Sequence, residues 1–136
     1  MRNYQCVKNN PYWLPKPIYN QTIYAIQSYD TLKERYEQVL HESSIVRDGQ
    51  PTGKGGTGAP TEKKALILAE IDGKISAISS ALNIVPPEYR NGVLNNIKYY
   101  RAFPLDAGIA TYRRHKQRFI YNAAVNLGIW WEASKE

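Results

Sequence analysis

The chain has 136 residues, 43% of them hydrophobic, which is enough for a compact domain with a real core and too apolar for wholesale disorder. Eighteen Lys and Arg against twelve Asp and Glu leave a net charge of +6, a balance that favours polyanionic partners through counterion release and says nothing about fold. A lone cysteine, Cys6, excludes an internal disulfide and a cysteine-built zinc site, and no apolar run approaches a membrane span or a signal-peptide core. A reducing cytoplasm is therefore the expected setting, with no membrane, metal or cofactor implied.

Residues 1–16 hold Pro11, Pro15, Tyr12 and Trp13 and predict an extended arm whose aromatics pack onto the domain, because prolines at this spacing oppose helix. A helical region follows over 17–42. Tyr19, Ile23 and Ile26 recur at helical spacing, and Tyr29, Leu32, Tyr36 and Val39 repeat the pattern slightly out of phase. The mismatch predicts a kink or break across Ser28-Tyr29-Asp30. Five glycines and two prolines over 43–60 mark a flexible loop, and residues 1–10 and 46–60 are expected to be the least ordered.

The helical region 61–136 begins with a helix over Thr61–Leu82, where Leu68, Ile71, Ile75, Ile78 and Leu82 form an apolar stripe. Pro86-Pro87 open the next helix, which turns Tyr89, Val93, Leu94 and Ile97 inward and ends near Tyr100. Arg101–Ala107 is a turn. The last helix runs from about Gly108 to Leu127, with Gly128 as its stop and Trp130 and Trp131 beyond. Tyr12 with Trp13, and Trp130 with Trp131, are expected to knit the arm to the core. The fold class is all-α: four or five helices in one domain, the last two forming a helix-turn-helix.

The last helix carries the chemistry. At 100° per residue, Ile109, Tyr112, Phe119, Ile120, Ala123 and Leu127 gather on one side, the expected core face. Arg114, Arg118 and Tyr121 gather opposite, with Thr111 and Gln117 flanking. Arg113, Arg114, His115, Lys116 and Arg118 lie close together, and no acid occurs between Asp106 and Glu132. Arginine bonds guanine edges in a bidentate way, Gln117 suits adenine, and Thr111 suits a phosphate at the helix start. A charged helix face is also what ordinary solvation produces, and a tyrosine at position 121 also serves to cover a core edge.

Elsewhere the chemistry is thin. GQPTGKGG, from Gly49, lacks the spacing of a phosphate loop and the Ser or Thr after its lysine. His41 and His115 stand apart from each other, without nearby carboxylates or thiols. No spaced carboxylate pair or Ser-His-Asp set stands out, so an enzyme is not the expectation.

Several stretches together resemble the RinA-like phage transcriptional activators: NPYWLPK over 10–16, the tyrosine-rich helix after it, the Ser-Ser and Gly-rich loop, the apolar helix Lys63–Leu82, and TYRRHKQRFIY over Thr111–Tyr121. The last segment is similar to part of a C-terminal domain resembling region four of sigma factors. The resemblance implies a phage or prophage-type regulator that binds promoter DNA, activates late genes and works beside RNA polymerase. It also implies that Thr111, Arg113, Arg114, Lys116 and Arg118 lie on or near a recognition helix. Gln117 stands where the family pattern leads one to expect a basic residue, and Asn122-Ala123-Ala124 replaces a more apolar run. The expected partner is double-stranded DNA, with a homo-oligomer as a further expectation. The alternative is a helical protein–protein interaction module, such as a packaging subunit or a host-inhibiting phage protein, using the 68–82 stripe as its seam.

Overall fold

The computed structural model describes residues 9–47 and 58–131, with side chains for 9–42 and 61–131. The start of the expected arm (1–8, with Cys6) and the centre of the glycine-rich loop (48–57) lie outside the described residues. Among the described residues the expected all-helical class holds, with α1 (Lys16–Gln27), α2 (Tyr29–Arg47), α3 (Gly58–Ile84), α4 (Pro87–Tyr99) and α5 (Ile109–Asn126) and no strand.

Local chemistry explains most boundaries. Pro17 and Pro87 occupy the first turns of α1 and α4, where a missing N–H costs nothing. The out-of-phase apolar series break at Ser28, whose hydroxyl donates to Tyr24 O at 2.9 Å and whose N–H turns back onto Tyr24 and Ala25 carbonyls. α2 then restarts with Asp30 in its first turn, the favourable place for a carboxylate. α2 and α3 reach further into the 43–60 segment than composition predicts, making 43–47 and 58–60 helical. Once a helix is nucleated, further residues add cheaply, and Pro60 is tolerated in a first turn. Gly128 ends the α5 region at φ 78°, a conformation that favours glycine.

The chain divides into two compact units: Tyr29–Ser76 forms one, and residues 1–28 with 77–136 form the other. In the Tyr29–Ser76 unit Tyr29, Val39 and Ile71 are buried, and Leu68 and Ile75 of the α3 stripe are half-buried. The Lys33 ammonium sits 4.5 Å from the Tyr29 ring centroid.

In the other unit α1, α4 and α5 pack against one another pairwise. Ile23 and Ile26 of α1, Val93 and Ile97 of α4, and Tyr112, Phe119 and Ile120 of α5 are essentially inaccessible to solvent. Each such side chain contributes about 1.5–3 kcal/mol by leaving water. The end of α3 joins this core through Ile78 and Ala81, and Asn126 Nδ2 donates to Ala77 O at 3.1 Å. Gly92 lets α4 approach the following connection: a Cβ there would lie 2.7 Å from both Pro104 Cδ and Tyr112 Cε1. Phe103 stacks on Tyr112, with centroids 5.1 Å apart.

α4 ends in an unusual way. Tyr100 adopts φ 58°, ψ 31°, the left-handed region, and is the one non-glycine with positive φ among the described residues. Such a conformation costs about 1–2 kcal/mol for a residue with a Cβ. Its N–H donates to Asn96 O at 3.0 Å, and the Arg101 N–H donates to Asn95 O at 3.3 Å.

Candidate nucleic-acid interface

α5 is not an edge helix with one apolar side. It is covered by α1 and α4, and also by the segment before α1. Three of the seven residues expected to face a ligand are buried as a result. Lys116 turns into the α4 contact, where its ammonium donates to Asn96 Oδ1 at 2.7 Å. Gln117 turns under the segment before α1, its Nε2 donating to Tyr12 O at 2.7 Å. Tyr121 is buried, and the Tyr12 ring meets it edge-on at 5.4 Å. Tyr121 is held by ring packing, and the physical reason is shared by Lys116 and Gln117. Long polar side chains can enter a core when they find a hydrogen-bond partner, and here the partners come from distant sequence.

The remaining four stay accessible. Arg113, Arg114 and Arg118 are exposed and Thr111 is half-buried. At 100° per residue, Arg114 and Arg118 share one face with Thr111, whereas Arg113 projects well to one side of it. Ile109, expected inward, is 57% exposed, and Leu105 before it is almost fully exposed. The Arg118 guanidinium carbon lies 5.1 Å from the Tyr12 ring centroid, which limits its freedom without burying it.

α4 and α5 pack together as expected, but residues 100–108 join them, a longer connection than the ~3–4-residue turn of a helix-turn-helix. Asp106 in this connection accepts a 2.7 Å hydrogen bond from the Tyr112 hydroxyl. Burial, that bond and the Asp106 charge push the Tyr112 hydroxyl up to about 12. His115 stacks on Tyr89 at 4.7 Å, and its pKa is lowered by burial first and by Arg114 and Arg118 next, with Glu88 opposing. Burial, assisted by the Arg113 charge, pulls the Lys116 ammonium down to about 8.

Charge is unevenly shared between the two units. Tyr29–Ser76 holds seven Lys and Arg against eight acids, and the rest of the chain holds eleven against four. The whole positive balance thus belongs to the unit that contains α5. Sequence inspection missed Asn96 as the acceptor for Lys116 and the Tyr12 carbonyl as the acceptor for Gln117, since nothing local marks an asparagine amide as the receptor of a lysine twenty residues on. Among the described residues no cluster of His, Cys, Asp and Glu fit for a metal ion occurs, and no helix is long and apolar enough to cross a membrane.

Fold and charge together define a small all-helical protein with a basic unit built on α1, α4 and α5. Compared with protein-family models, curated proteins and solved structures, the chain shows no significant match.

Proposed function

We propose that this protein is a DNA-binding regulator that engages duplex DNA through the solvent face of α5. The observation that carries the proposal is the exposure of Arg113, Arg114 and Arg118 on a helix with no acid from Ala107 to Trp131, in the unit that holds the chain's positive charge. Arg114 and Arg118, one turn apart, are the base-reading pair, and Thr111 in the first turn of α5 takes a phosphate. Lys116, Gln117 and Tyr121 act as the packing that fixes the helix rather than as contacts to bases. The resemblance to RinA-like activators extends the proposal to promoter DNA of a phage or prophage, with late-gene activation as the outcome and RNA polymerase as the protein neighbour.

The test is fluorescence anisotropy with labelled duplexes tiled from the gene's own neighbourhood, at two salt concentrations. One fragment should bind far more tightly than the rest, and its affinity should fall as salt rises. Arg114→Ala with Arg118→Ala should weaken it by several kcal/mol, at ~1–3 kcal/mol per base-reading arginine. Wild-type affinity in that double variant would remove α5 as the reading face.

One observation favours a protein-binding role for the Tyr29–Ser76 unit. Its charge is nearly balanced, Leu66 of α3 is 71% exposed, and Leu68 and Ile75 are only half-buried. A concentration-dependent mass by light scattering, abolished by Leu66→Glu, would assign the exposed face of α3 around Leu66 to self-association.

A further inference from the structure

The corner after α4 carries a second basic surface that the α5 face does not use. Tyr99 closes α4 and is 53% exposed. Lys98 Nζ lies 5.6 Å from the ring centroid and the Arg101 guanidinium carbon 5.3 Å. Both are near the ~6 Å limit of cation–π contact, so each of these two ring contacts is weak.

The backbone on either side of Tyr99 is held by α1, α4 and α5. Asn96 Nδ2 of α4 donates to Arg101 O at 2.8 Å, and Lys116 of α5 donates to Asn96 Oδ1 at 2.7 Å. Gln27 of α1 donates through Nε2 to Ile97 O at 2.9 Å and to the Tyr100 hydroxyl at 3.2 Å. A left-handed helix end ordinarily takes glycine or asparagine, yet here the strained position is a tyrosine, itself 41% exposed. Arg113, whose charge is felt at the Lys116 ammonium, belongs to this side of α5.

We infer that Lys98, Tyr99, Tyr100 and Arg101 form a stacking platform for an unpaired base of a single-stranded nucleic acid. Tyr99 meets the base, and Lys98 and Arg101 swing from its ring to the flanking phosphates. An exposed aromatic between two cations, on a corner fixed beforehand, is the chemistry that single-strand binders use. The site lies on α4 and stands whether or not α5 binds duplex DNA.

The experiment titrates the full chain into fluorescein-labelled oligo(dT) and oligo(U), each about 12 nucleotides long, and into a duplex of the same length. At least one single strand should bind with salt-dependent affinity, and the preferred sugar identifies the source as DNA or RNA. Tyr99→Ala should weaken that strand about tenfold, within the range of one lost base–aromatic stack, whereas Tyr99→Phe should keep wild-type affinity. Lys98→Gln with Arg101→Gln should reduce the salt slope by about 1.4, at about 0.7 per phosphate contact. The Arg114→Ala, Arg118→Ala double variant should still bind the single strand, which separates failure of the α5 proposal from failure of this one. No binding of either strand by the wild type, or unchanged affinity in Tyr99→Ala, or an unchanged salt slope in the double glutamine variant, would overturn the platform.

Discussion

Lys116 and Asn96 meet inside the contact between α5 and α4, the ammonium donating a 2.7 Å hydrogen bond to the amide oxygen. Asn96 passes the constraint on through its amide nitrogen to the Arg101 carbonyl. A lysine expected to touch DNA thus organises the corner between the two helices.

That position gives Lys116 a signature in pH. Its folded pKa is about 8 against an ordinary 10.5. Below about 8 both folded and unfolded chains carry the proton and the folded state bears the full cost of burying it. Between the two values the unfolded chain keeps more protons than the folded one, so this group's contribution to stability rises with pH. Denaturation of wild type and Lys116→Met at about pH 7.5 and 9.5 should show the wild type gaining about 2 kcal/mol on the variant, at 1.36 kcal/mol per pKa unit. A gap that ignores pH would mean the ammonium is solvated.

His115 works in the opposite range. Burial lowers its pKa below 6.5, so on acidification the unfolded chain takes up the proton first and stability falls. Melting temperatures of wild type and His115→Phe should diverge between about pH 7 and about pH 5, with the phenylalanine variant less sensitive.

Gly92→Ala tests the close approach of α4 to the 100–108 connection. Its Cβ would stand 2.7 Å from Pro104 Cδ and Tyr112 Cε1, so one of them must move. The expected loss is about 1–3 kcal/mol by urea unfolding. Adding Pro104→Ala should recover part of it, a coupling that two independent sites would not show.

Neighbours on α5 should behave in opposite ways. Gln117→Ala leaves the Tyr12 carbonyl without that donor and should cost about 1–3 kcal/mol of stability while leaving duplex sequence preference intact. Arg118→Ala should cost less than about 1 kcal/mol of stability, the scale of an exposed cation–π contact, yet weaken duplex binding. Equal binding losses in both would tie DNA affinity to folding alone.

Much of the architecture was legible in the residues. Prolines set the starts of α1 and α4, Gly128 the turn after α5, and the phase slip around Ser28 the division of one helical run into two. These are local signals, written within a turn or two of the feature they cause. The apolar period also identified Tyr112, Phe119, Ile120 and Ala123 as core.

What the tertiary structure alone decided is which polar side chains of α5 join that core. Periodicity assumes one covered side and assigns Gln117 and Tyr121 away from it, whereas Lys116 is expected at DNA from its basic neighbours and the family resemblance. α4 and the segment before α1 cover two further sides, and Asn96 and the Tyr12 carbonyl supply the hydrogen bonds that make the burial of Lys116 and Gln117 tolerable. Those partners are 20 and 105 residues away along the chain, so no local pattern records them. Composition and periodicity determined a basic helical protein, and only packing separated the arginines left to water from the lysine and glutamine held inside.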